Sequence, residues 1–226
     1  MTALTVPVST TTTSTSTSTV AVVPAAPADL PEAADLLADA FAGEPQVAAL
    51  LGAGTADTPD ARRRRVHLYR AELVRPLAEG TVDLARDPDG GALLGVAVWH
   101  APRPAGGGVL HALRALPDHL RAFGASGVPR ALSAQRAFGR ARPRSPHWYL
   151  EAVGVAPAGQ GRGVGRALLQ HRLDRVDEAR EDSYLESSSP RTTPLYRRLG
   201  FVPLGPVRGL PSREAPLGMW RVSPRR

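Results

Sequence analysis

The stretch "VAPAGQGRGVGRALL", residues 155–169, sets glycine at 159, 161, 163 and 165 and then runs straight into helix-forming Ala-Leu-Leu. Backbone stripped of every second side chain can approach a ligand closely, and the free N–H groups at a helix N-terminus favour an anion such as a phosphate. Two familiar phosphate loops are excluded. A Walker A loop needs a lysine after its last glycine, and the chain contains no lysine. A dinucleotide fingerprint needs G-x-G-x-x-G/A, and the registers starting at Gly159, Gly161 and Gly163 end in Val164, Arg166 and Leu168.

Just upstream, "HWYLEAVGV" reads as a strand whose alternation puts Tyr149, Glu151 and Val153 on one face. A carboxylate inside an otherwise apolar strand is costly unless it is paired or used, so Glu151 is a candidate for proton transfer. Glu186 in "YLESSS" competes with it, and ordered water is a third route. Either glutamate is as readily a salt-bridged residue. Trp99, Trp148 and Tyr149 are candidates to line an apolar acceptor pocket, Trp148 and Tyr149 foremost, although buried aromatics usually belong to the core. The six histidines show neither H-E-x-x-H nor another metal spacing, so no metal is expected and each histidine reads as surface or packing. There is no cysteine, which excludes disulfides, thiolate metal sites and a cysteine nucleophile.

These residues need elements to hold them. Residues 20–24 form a short β-like run, followed by a helix behind Asp29 as cap, with Leu30, Ala33, Ala34, Leu37 and Phe41 at helical spacing. A second helix is opened by Thr58 and Pro59 and closed by Gly80, with Val66, Tyr69, Leu73 and Leu77 on one face, and its arginine run 62–65 reads as the solvated side. Residues 81–100 read as an antiparallel hairpin turning at "PDGG". Residues 101–147 suggest an inserted helical pair over one side of the sheet. After the strand and glycine loop comes an amphipathic helix with Leu168, Leu169, Leu173 and Val176 as its buried stripe. The strand "SYLESSS", a short helix stopped by Gly200, and the strands "FVPLG" and "PLGMWRV" complete the pattern.

The chain has 226 residues, enough for one well-buried core, and the expectation is a single domain over 20–226 behind a Ser/Thr-rich disordered tail, 1–19. That tail lacks the basic start and apolar centre of a secretory signal. No apolar run approaches the ~20 residues that span a bilayer, so no membrane partner is expected and the cytoplasm is the default location. The net charge of +7 would ordinarily raise nucleic acid as a partner. All 28 basic residues are arginine, however, and lysine, asparagine and isoleucine are absent, a signature of a G+C-rich genome. Nucleic acid is therefore not expected.

The run Gln160-Gly161-Arg162-Gly163-Val164-Gly165, directly after a strand and opening a helix, resembles the Q/R-x-x-G-x-G/A signature of the GNAT N-acetyltransferase superfamily. "YLESSSPRTTPLYRRLGFVPLG" resembles that family's second segment, and the interval from Gly165 to Tyr196 suits one intervening helix and strand. Residues 146–203 are similar in particular to the puromycin N-acetyltransferase branch, which acetylates small-molecule amines. The resemblance implies an α/β fold with a mixed, mainly antiparallel sheet flanked by helices on both faces. It implies acetyl-CoA as co-substrate, a primary amine of a small molecule as acceptor, and a monomer or homodimer.

Carried over residue by residue, the resemblance places the diphosphate against Gln160, Gly161, Arg162, Gly163, Val164, Gly165 and Arg166. The backbone of Val153, Gly154 and Val155, on a strand that splays from its neighbour, holds the pantetheine arm. Tyr196 stands where the family has a tyrosine near the thiol sulfur, and a phenol of pKa ~10 suits protonation of a leaving thiolate. Many members carry asparagine near 192, where this chain has Thr192 and Thr193, so that contact is not carried over. Acylation of a protein N-terminus or lysine, and a non-catalytic CoA-binding domain, are the rival readings.

Overall fold

Apolar residues at alternate positions of β2 (Val82–Arg86) and along the mostly apolar β3 (Leu93–His100) pair the two antiparallel, Val82 against Val98 and Leu84 against Val96, as the hairpin reading expects. The computed structural model describes residues 20–52, 57–89, 91–103, 106–210 and 215–224, so the 1–19 tail lies outside the described residues. Around the hairpin a seven-stranded sheet forms, in the order β1-β2-β3-β4-β5-β7-β6, with β1 (Ala21–Pro24), β4 (Trp148–Val155), β5 (Ser183–Ser187), β6 (Val202–Pro206) and β7 (Leu217–Arg221). Only β4 and β5 run parallel. The sheet is thus mixed and mainly antiparallel.

Each face carries helices. On one, α5 (Val164–Glu178) and α6 (Thr193–Arg198) bury Leu168, Leu169, Leu173 and Tyr196, with Phe201 just after α6, against Leu150, Trp99 and Leu185. On the other, α1 (Leu30–Ala40) and α3 (Pro59–Ala78) bury Ala33, Leu37, Tyr69, Leu73 and Leu77 against Val82, Leu84, Val96 and Val98. A buried ion pair ties α5 to β2: Arg172 donates to both Asp83 oxygens at 2.7 and 2.8 Å.

α2 (Pro45–Leu51) and α4 (Gly108–Ala141) form a third group, packed on α3. α4 is the expected helical pair, broken at Gly124 (φ 62°, ψ 168°) immediately after Phe123. The pair packs on α2 and α3 and lines a cavity that the sheet lines from its other side. α2 escaped the sequence reading because seven residues are too few for a helical period to show.

Two local expectations are corrected. The arginine run is a solvated face only in part, since Arg63 stays 68% exposed beside Asp60 while its neighbours turn inward. Arg62 pairs with Asp39, Arg64 donates to the carbonyls of Ala122 (2.8 Å) and Leu51 (2.5 Å), and Arg65, only 5% exposed, donates to Ala38 O (2.8 Å) and pairs with Asp57. Successive residues on a helix point about 100° apart, so a run of four reaches three neighbouring elements. Asp29 precedes α1, but its carboxylate accepts from Ala26 N–H (2.7 Å) and Arg86 (3.0 Å), with no side-chain bond onto that helix.

Candidate active site

The site begins where two strands part. β4 and β5 are paired only at Trp148–Ser183, Tyr149–Tyr184 and Leu150–Leu185, whereas β4 stays paired to β3 as far as Val155–Gly95. Beyond Leu150 the β5 side of β4 therefore opens, and Val153, Gly154 and Val155 line a cavity of about 990 Å³. Gly154 has a second reason to be glycine. A Cβ there would lie 2.9 Å from Leu37 Cδ2 and 3.0 Å from Ala40 Cβ, so the residue lets α1 rest on the strand.

A bulge changes which side chains share a face. Val98 opposes Ala152 and Trp99 opposes Leu150, leaving Glu151 as the extra residue. Tyr149 and Glu151 both line the cavity, as expected together. Val153 does not share their face: it packs with the α5 core, and Ala152 takes the α1 side instead. Simple alternation fails here because the bulge inserts one residue.

The glycine loop follows β4 through a 3-10 turn, Pro157–Gly159. Gly161 (φ 75°) and Gly163 (φ 78°) adopt the left-handed conformation, and nothing stands within 4 Å of where a Cβ would be. Gly163 caps α5 without a side chain, and Ala167 N–H is the first to bond back, to Gly163 O at 3.0 Å. The N–H groups of the first turn have no intrahelical acceptor, so an open, electropositive cradle results. Gly165 and Gln160 reach the cavity, Val164 is buried in the core, Arg166 is exposed, and Arg162 lies 3.3 Å from Asp87.

On the acceptor side, acids and bases converge from five elements. Glu151 Oε2 lies 2.6 Å from His100 Nε2, at the end of β3. Glu72, from α3, donates a hydrogen bond to Glu151 and lies 3.3 Å from His119 Nε2, on α4. The result is a chain of four titratable groups, His119–Glu72–Glu151–His100. Burial first, then the Glu151 charge, pushes Glu72 up to about 7. Burial opposes charge on Glu151 too, but His100, Glu72 and Arg142 outweigh it and hold that carboxyl below its usual range. His100 is likewise raised, since Glu151 outweighs its burial.

Glu186 lies beside this chain. Its Oε1 is 3.6 Å from Arg142 Nε, and burial raises it despite the nearby guanidinium. Arg142 sits 3.5 Å above the Tyr149 ring, which also stacks on His100 at 5.8 Å. Tyr196 lines the cavity from α6, nearer the glycine loop, and burial pushes its phenol up to about 12 against a hydrogen bond with Thr192. Thr192 itself donates to Ser189 O at 2.9 Å.

Trp148 does not line this pocket. It faces the α5 core, and its indole N–H donates to Glu181 at 2.6 Å. Trp99 is wholly buried on the same side. The sequence reading missed Glu72, His119, Arg142 and His100. His100 was findable, because pairing the hairpin with "HWYLEAVGV" sets it opposite Tyr149. Among the described residues no group of three or more His, Cys, Asp or Glu could hold a metal ion, and no helix is long and apolar enough to cross a membrane.

Comparison with known proteins agrees with this geometry. The Acetyltransferase (GNAT) family matches residues 59–201. A Corynebacterium glutamicum structure described as histone acetyltransferase HPA2 and related acetyltransferase is 31% identical, covers 92% of this chain and 98% of its own, and superposes with a TM-score of 0.70. Two structures at 14% identity share the fold. Agmatine N-acetyltransferase has a TM-score of 0.62, with 89% of this chain and 97% of that one covered. A mosquito arylalkylamine N-acetyltransferase-like 5b has a TM-score of 0.55, with 90% and 100% covered. The chain belongs to the GNAT acetyltransferase family and is an acetyl-CoA-dependent N-acetyltransferase.

Proposed function

We propose that the protein acetylates the primary amine of a small molecule by direct attack within a ternary complex. One observation carries the reading. A single cavity runs from the β4 opening and Gly165 to the carboxyls of Glu72, Glu151 and Glu186, and is walled by α2 and α4. The resemblance of residues 146–203 to the puromycin N-acetyltransferase branch supports a small acceptor.

The donor fits the residues present. Acetyl-CoA supplies an activated acetyl group and a diphosphate. The left-handed Gly161 and Gly163 leave the cradle open, and the first-turn N–H groups of α5, with Arg166 and Gln160 beside them, suit the diphosphate. The unpaired edge of Val153, Gly154 and Val155 offers backbone groups to the pantetheine amides. Glu151 takes the ammonium proton, directly or through a water, and shares it with Glu72, whose proton affinity is matched to neutral pH. Tyr196 returns a proton from Oη to the leaving sulfur. Its raised pKa keeps it protonated until then.

Thiol release from acetyl-CoA, measured against puromycin, an aminoglycoside, a polyamine, free amino acids and peptides with free N-termini or lysines, tests this. Activity on small amines is the expected result. Activity confined to peptides replaces it with protein acetylation.

A further inference from the structure

Resting on that reading, we infer that the acceptor is a primary amine carrying an extended apolar body, seated along α4 with its ammonium at the Glu72–Glu151 pair. Val109, Leu113, Leu116, Leu120 and Phe123 follow one another at spacings of four, three, four and three residues, so they form one stripe on the first half of α4. Their exposure falls along that stripe, 77, 61, 47, 47 and 9%. The stripe is thus a ramp that enters the cavity, whose wall includes Leu116, Leu120 and Phe123. Leu132, on the second half of α4, is 46% exposed and lines the same space.

The ramp ends at the charged groups. His119, one residue before Leu120, reaches Glu72 at 3.3 Å and stacks on Phe123 at 5.9 Å. Apolar wall and carboxylate therefore meet at one point, where an occupant needs a cation on an apolar stem. Leu116 to Phe123 spans about 10 Å of helix, which sets the length of the apolar body. A polyamine would lay further cations against leucines, and a second protein copy would cover the ramp without using the carboxyls.

The test is a homologous series of n-alkylamines, from propylamine to dodecylamine, with spermidine as a polar counterpart, assayed by thiol release in the wild type and in Leu116→Ser/Leu120→Ser. Both leucines are half exposed, so the variant should fold, and its melting curve checks this. In the wild type, kcat/KM should rise with chain length by up to about fourfold per buried methylene until about 10 Å is filled. The variant should lose that rise through KM, with losses that grow with chain length and are smallest on propylamine. A flat series, a preference for spermidine, or equal losses on short and long amines overturns the inference while leaving amine acetylation standing. Failure of every amine removes both. Sedimentation of the two proteins covers the other occupant: a dimer broken by the variant, with chain-length dependence intact, assigns the ramp to a second copy and overturns the inference.

Discussion

Replacing Glu72 by glutamine probes the proton chain at its most sensitive point. Glu72 titrates near about 7 because burial and Glu151 both oppose its charge, and the two carboxyls titrate as a pair. In the wild type kcat/KM should rise through neutral pH as the pair loses its shared proton. The glutamine variant should lose that limb, fall by about 10²- to 10⁴-fold near pH 7, and recover partly above the amine pKa of ~10. Glu151→Gln removes the group that faces the ammonium, so its rate should itself fall near neutrality and recover partly above the amine pKa of ~10.

Stability gives a second readout, independent of chemistry. The folded pKa of Glu72 is raised, so the folded state keeps a proton that the unfolded state gives up. Stability therefore falls as pH rises from the usual carboxyl value to about 7, and stays lower above it. The Glu72 side chain keeps 36% of its exposure, within the cavity, so the penalty is discounted to about 1–2 kcal/mol. Glu72→Gln should thus melt on the order of 3–6 °C above the wild type at pH 8, with little difference at pH 4.5. An unchanged pH–rate limb together with the same melting offset at both pH values would refute the shared-proton argument.

The remaining predictions concern the loop, the acid and the core. Gly163→Asp combines a left-handed backbone (φ 78°) with a negative charge at the α5 N-terminus. Acetyl-CoA affinity by calorimetry should fall about 10- to 100-fold while the fold survives, and unchanged affinity detaches the loop from the diphosphate. Tyr196→Phe keeps the ring, 6.2 Å from Phe201, and deletes the proton. kcat should fall with KM nearly constant, and wild-type turnover makes the tyrosine a packing residue. Arg172→Leu strands Asp83, which is fully buried, and should cost about 3–5 kcal/mol by urea denaturation. Adding Asp83→Leu should restore much of that, and a double variant no better than the single one disproves the stranded-charge explanation.

Local signals made the sheet and the donor half legible. Several strands show period-two runs, and the loop carries a glycine at every second position. Leu168, Leu169, Leu173 and Val176 also bury as the 3.6-residue period requires. The acceptor half is assembled from distant positions, and Glu72 in "RAELVRPL" looks like any solvated helix glutamate. Only folding brings it to Glu151, 79 positions away, and to His119. The bulge at Glu151 leaves no mark on composition either, yet it turns Val153 to the α5 side. Trp148 misled for the same reason that aromatics usually do, because its size serves the core as readily as a pocket.

Direct transfer is tested most plainly by mixing enzyme with acetyl-CoA alone, then adding a primary amine, while following free thiol and acetylated amine by mass spectrometry. The account predicts no thiol burst and no added 42 Da on the protein before the amine arrives, then thiol and N-acetylated amine in equal amounts, as about one mole each per turnover. A stoichiometric burst with acetylated enzyme, or thiol released without acetylated amine, would contradict it.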